Sequence, residues 1–348
     1  MKAVSVSTSA ISNALRYSQT RMQVDLVKAQ KEMDTSRVAD LGLALGARTT
    51  QSVNFNRDVD RLNAIVDSNA LVAARLSSTQ AALDNLADTT QSLITSLTAA
   101  NFGPQAASAV HDSGVATLES MVSILNTSMN GEYLFAGINT DMKPMHGFDT
   151  GSAAKTAFDN AFAGYFGFSQ DDPAAAGITA AQMQSFLSDS SLTDQFFGSG
   201  WANWSSATDE TITSRIALNE TTQSSVGANV EAMRQLAMAA SIVAAFLDSN
   251  LGEEAKQAVA SQAISLADRA LSGLTDLRAQ TGIVQKRVSD ASDRMKMQVD
   301  VFKRHILDLE GVDPYEAANR VNDLVTHIQT SYALTARIQQ LSLLNFLT

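Results

Sequence analysis

Four histidines and two pairs of neighbouring carboxylates are the residues of this 348-residue chain best suited to chemistry. A metal centre or an acid–base pair would need them gathered by helical or strand spacing, and the spacing does not gather them. His111, His146, His305 and His327 stand at no ligand-like separation. His305 and His327 fall in helical stretches, where a histidine is far more often packed or solvated than ligating. Asp171–Asp172 and Glu253–Glu254 are adjacent in the chain. Adjacent residues on a helix do not face each other, so both pairs read as solvated charge or helix-start electrostatics. Cysteine is absent, which removes disulfides, thiol nucleophiles and thiolate metal sites. The chain holds no P-loop, Gly-x-Ser-x-Gly, His-Glu-x-x-His or EF-hand loop. The expectation is a protein with no catalytic, cofactor-binding or metal-ligating residues, and not an enzyme.

Charge narrows the partners. Lysine and arginine total 25 against 36 acidic residues, a formal charge of −11. That balance argues against nucleic acid and against an anionic membrane surface as the main partner. No stretch approaches the roughly 20 apolar residues of a membrane span, so membrane insertion is not expected. The start, MKAVSVSTSAISNALRYSQ, has one lysine and serines throughout, without the apolar run of a cleaved signal. If the protein leaves the cell, the general secretory route is not the expected one.

What the chain does hold is helical periodicity. Ile11, Leu15, Ser18, Met22, Leu26, Ala29 and Met33 recur at spacings of three and four, and VADLGLALGARTT (38–50) breaks that helix. A heptad seam then runs Val59, Leu62, Val66, Asn69, Ala73, Leu76, Gln80, Leu83, Ala87, Thr90, Ile94, Leu97. NFGP (101–104) ends it, and a further stripe carries Val115, Leu118, Val122, Leu125 and Met129. Past Gly252 a matching seam runs from Ala270 through Leu274, Leu277, Thr281, Val284, Val288, Ala291, Met295, Val299, Phe302 and Ile306 to Leu309, with a stutter between 291 and 299. GVDP (311–314) interrupts it, with Asp313 as N-cap and Pro314 at the first helical position, and a last helix follows to about Leu344.

Residues 141–227 differ in composition. They hold eleven of the 21 aromatics and a local charge of −7, which reads as an inserted acidic domain with a core of its own and a hairpin near Asn219–Glu220. Before it, Gly131 is expected to stop the helix, Glu132 to Phe135 to alternate as a strand, and Gly137 with Asn139–Asp141 to turn. The expected fold is mainly α: a long antiparallel helical rod, coiled-coil-like and built from both termini, with a small α+β inserted outer domain. The expected divisions are terminal helices 1–48 and 311–348, a rod from 49–140 and 228–310, and the insert 141–227.

MNGEYLFAGINTDMKP (129–144) is similar to the Gly-x-Tyr-Leu-Phe-Ala-Gly-x-x-Thr segment of the flagellin superfamily, through Gly131, Tyr133, Leu134, Phe135, Ala136, Gly137 and Thr140. RAQTGIVQKRVSD (278–290) resembles that superfamily's Gly-x-x-Gln-x-Arg helix through Gly282, Gln285 and Arg287. The ending QQLSLLNFLT resembles the close of the hook–filament junction branch. Where relatives often carry Asp-Asp-Pro after the first helix, this chain has VADLGLALG. The resemblance covers roughly 1–140 and 228–348. It implies an extracellular structural protein of the bacterial flagellum, exported by the flagellar type III route and assembled as a ring between hook and filament. The partners implied are further copies of itself, a sister junction protein, flagellin and an export chaperone. Gly131, Tyr133, Leu134, Phe135 and Gly137 would lie where the helices meet the outer domain. A filament-forming flagellin is the alternative, and an unrelated coiled-coil scaffold the lesser one.

The residues themselves point to assembly. A terminal helix whose seam is diluted by serine and alanine draws its stability from neighbours, because propensity alone leaves helices marginal. The terminal segments are therefore expected to be disordered in the monomer and to fold on assembly, burying Ile11, Leu15, Met22, Leu26, Ile338, Leu341 and Leu344 between protomers.

Overall fold

The computed structural model describes residues 8–99 and 104–344. The chain is mainly α, with long helices and, among the described residues, two short hairpins, and it divides into two compact units: residues up to 64 with residues from 295 onward, and residues 65–294.

The first unit opens with α1 (Thr8–Thr35). The expected breaker at 38–50 is only partly a break, because it holds α2 (Leu41–Leu45), capped by the Asp40 side chain on the Leu43 amide, before α3 (Thr49–Ala99) begins. The end of α9 (Glu253–Glu310) packs antiparallel to the start of α3, with Phe55 stacked on Phe302 and His305 at 5.5 Å each. Val59, Leu62, Val299 and Ile306 are buried along that seam, as heptad spacing requires. Asp313 accepts from the Tyr315 amide at 2.8 Å and Pro314 opens α10 (Pro314–Leu344), as read from GVDP.

The second unit carries the rest of α3 and α9, again antiparallel. Asp84 pairs with Arg278, and Asn69 donates to Ser292 Oγ at 3.0 Å and to the Ile216 carbonyl at 2.9 Å. Leu83, Ala87, Thr90 and Leu97 are buried on one side of this pair, and Ala270, Leu274 and Thr281 on the other.

The helix α4 (Pro104–Leu125) ends earlier than the stripe to Met129 implies. Gly131 does not stop it. Asn126 leaves the helix by clasping Met145, donating to its carbonyl (3.0 Å) and accepting from its amide (2.9 Å). Residues 128–133 then close a hairpin, β1 (Ser128–Met129) on β2 (Glu132–Tyr133). Asn130 and Gly131 have φ of 55° and 85°; an Asn-Gly pair with both φ positive suits a tight hairpin turn. Nor does the strand alternate onward: Leu134, Phe135 and Ala136 are all fully buried, held by the Leu134 amide on the Thr127 carbonyl and the Ala228 amide on the Phe135 carbonyl.

Residues 141–227 hold three short helices, α5 (Ala153–Phe166), α6 (Ala180–Leu187) and α7 (Ser190–Phe197), then the hairpin β3 (Thr213–Ala217) with β4 (Glu220–Gln223) near the expected Asn219–Glu220 turn. Their aromatics do not close a core of their own. Phe158, Phe162 and Phe186 stand within 6.1 Å of Phe246 of α8 (Glu231–Phe246), in one continuous cluster with residues of α3, α4 and α9. The helix α8 is buried nearly all round, with Glu231, Arg234, Gln235 and Ser241 together on one side of it. It lies close enough to α4 that a Cβ on Gly114 would stand 2.6 Å from Val243 Cγ1.

Candidate assembly face

The terminal pair α1 and α10 is joined by a thin seam. Among the described side chains only Ala29 and Ala317 are fully buried on it. Ile11, Leu15, Met22, Leu26 and Ile338, expected between protomers, are half-buried, on the stripe where the two helices of one chain meet. Leu341 and Leu344 lie on α10, outside the described side chains, and the ending Asn345–Phe346–Leu347 lies outside the described residues. The seam is also more polar than its spacing suggests. Ser18 is exposed, and in its place Gln19 donates to Ser331 Oγ at 3.3 Å and Thr335 Oγ1 at 3.2 Å. Gln23 donates to the Tyr332 hydroxyl at 2.9 Å, and Arg320 bridges Glu32 at 2.9 Å and Glu316 at 3.1 Å.

Apolar residues also face away from this seam. Tyr17 is 74% exposed, Val24 51% and Val27 64%; at 3.6 residues per turn they share the side of α1 opposite Leu15 and Met22. Tyr315 and Leu334 are exposed on α10. The seam periodicity could not find them, since they are off-stripe by definition; the signal available was apolar residues at positions where a surface helix should be polar. This face can bury apolar area against another surface.

The segment expected where helices meet the outer domain is built as a buried anchor. Arg75 of α3, 9% exposed, donates to Glu132 at 2.8 Å and to the Tyr133 carbonyl at 3.0 Å. Gly137 has φ of 73°, and a Cβ there would stand 2.2 Å from Thr208 Oγ1. Elsewhere, His111 pairs with its neighbour Asp112 and His146 meets the Asn203 carbonyl. No three His, Asp or Glu gather into a metal-holding group among the described residues.

Residues 6–140 match the bacterial flagellin N-terminal helical region and residues 264–347 the bacterial flagellin C-terminal helical region, together more than half of the chain. The chain belongs to the bacterial flagellin family, a family of structural proteins. No curated protein matches the sequence. A solved structure of a protein assigned as a flagellar hook-associated protein from Vibrio parahaemolyticus shares the fold, with a TM-score of 0.53 at 11% identity over 76% of this chain and 97% of that one.

Proposed function

We propose that this chain is a structural protein of the flagellum that forms the ring joining the hook to the flagellin filament. The observation that carries the assembly part is the α1/α10 pair. Among the described side chains its own seam fully buries two alanines, while Tyr17, Val24, Val27 and Leu334 stand open away from it. Ordering a residue costs about 1–2 kcal/mol, and a fully buried large apolar side chain returns about 1.5–3 kcal/mol. Neighbouring subunits supply the missing burial, so residues 1–48 and 311–348 act as the assembly core and order fully only in the ring. The rest of the chain, folded beforehand, presents that core. Export proceeds through the flagellar type III route with a chaperone, and the ring lies between a sister junction protein and flagellin.

The junction role, rather than the filament, is supported by the Tyr133-Leu134-Phe135 segment, by the Asn345-Phe346-Leu347 ending, and by sharing its fold with a protein assigned as hook-associated. The match to both flagellin regions favours a filament-forming flagellin as the second reading. A strain lacking the gene separates them. The junction reading expects hooks without attached filaments and flagellin released into the medium; normal filaments on that strain would refute it. Purified protein should likewise fail to elongate filament seeds, where a flagellin would grow them.

A further inference from the structure

Two chain segments cross where α1 ends and α10 begins. Ser36 leaves α1 with φ of 53°. The Val38 amide donates to the Glu310 carbonyl at 2.8 Å and the Val312 amide to the Ser36 carbonyl at 3.0 Å, so that Arg37 and Gly311 oppose each other as an antiparallel bridge. Under this bridge lies the Glu310 side chain, only 2% exposed. Its carboxylate collects Arg37 Nη1 at 3.2 Å, Asn56 Nδ2 at 3.5 Å and the Ser52 hydroxyl. A buried carboxylate is tolerated only when paired and hydrogen-bonded, and here the donors come from the crossing and from the first turns of α3. Gly311 passes so close to α9 that a Cβ would stand 2.4 Å from the Leu307 carbonyl.

Order on the two sides of this crossing has different sources. Toward α3 and α9 lie the Phe55–Phe302 stack and the buried Val59, Leu62, Val299 and Ile306. Toward α1 and α10 lie half-buried side chains and the polar bonds of Gln19 and Gln23. We propose that the crossing is a latch that stays closed in the free chain, with Glu310 as its positioning residue, and that α1 and α10 zip together from it once neighbours cover their outer faces. The latch takes its purpose from the assembly reading above, but it is tested on the free protein, without assembly.

Site-resolved amide hydrogen exchange on the free full-length chain reads it, because local protection reports local opening. In the wild type, the Val38 and Val312 amides should exchange about a hundredfold more slowly than those of Gln23 and Ile328. Glu310→Ala should cut the protection of Val38 and Val312 by about tenfold or more, leaving Leu62 and Val299 within about twofold. Arg37→Gln, which keeps Ser52 and Asn56 on the carboxylate, should give a smaller loss at the same two amides and decides the matter if Glu310→Ala does not fold. The proposal is overturned if wild-type Val38 and Val312 exchange as fast as Gln23. It is also overturned if both variants leave them unchanged, or if the loss reaches Leu62 and Val299 equally. A protein found away from the hook–filament junction would refute the functional reading and leave these exchange rates untouched.

Discussion

Single residues decide how the chain passes from α4 into residues 141–227, and two glycines there make different demands. Gly131 has φ of 85° and open space around it, whereas Gly137 combines φ of 73° with Thr208 Oγ1, Thr208 O and Glu210 O all within 2.9 Å of any Cβ. Alanine at Gly131 should therefore cost only the left-handed strain, about 1–2 kcal/mol. Alanine at Gly137 should cost that and a backbone displacement, about 3 kcal/mol or more. Thermal unfolding of the two variants checks the order; equal melting points would mean that the close approach at Gly137 is not a constraint. The sequence marked both positions as special but assigned Gly131 to helix termination. What it obscured was the competition between a helical stripe that continues to Met129 and an Asn-Gly pair whose turn preference wins. The buried partners of Glu310 were equally hidden, because Arg37, Ser52 and Asn56 come from segments far from it in the chain.

At the scale of elements, legibility followed periodicity. The seams from Val59 to Leu97 and from Ala270 to Leu309 were read from spacing and are the buried or half-buried stripes of α3 and α9. The stutter residues Ala291, Met295 and Val299 are each buried. No seam was read on α8, although Glu231, Arg234, Gln235 and Ser241 share one side of EAMRQLAMAASIVAAF; alanines fill half of its other positions and blur the stripe. On α1 the stripe was placed one residue off, at Ser18 instead of Gln19, since a serine among apolar residues reads as a weak seam position while the glutamine's partners lie on another helix. That placement yields a prediction. Gln19→Leu exchanges two hydrogen bonds for apolar burial, and Thr335 Oγ1 keeps its bond to the Ser331 carbonyl at 2.8 Å. The pairing of α1 with α10 in the free chain should strengthen by about 1 kcal/mol, seen as slower tryptic cutting at Arg16, Arg21 and Arg337. No change in those rates would show that the seam does not limit the order of the terminal helices.

Across the second unit, the aromatics of residues 141–227 share one core with α3, α4, α8 and α9. The aromatic richness of residues 141–227 suggested a domain that could be cut out, and the composition was read correctly. The inference from it fails because Phe158, Phe162 and Phe186 pack on Phe246 of α8, outside that segment. Replacing 141–227 by a short Gly/Ser linker should expose α8, lower the melting temperature and produce binding of a hydrophobic dye, the mark of lost packing; a variant that melts like the wild type without binding dye would restore a separate domain. The central claim is that the outer side of the terminal helix pair is covered by neighbouring subunits in the flagellum. The chain has no cysteine, so single thiols report without background. Val24→Cys on α1 and Leu334→Cys on α10, with Tyr165→Cys on α5 as a reference, can be treated with a maleimide in the free protein and in isolated flagella. All three should react in the free protein, and in flagella only the cysteine replacing Tyr165 should remain reactive. Equal labelling at Val24→Cys and Leu334→Cys in flagella and in solution would contradict the account.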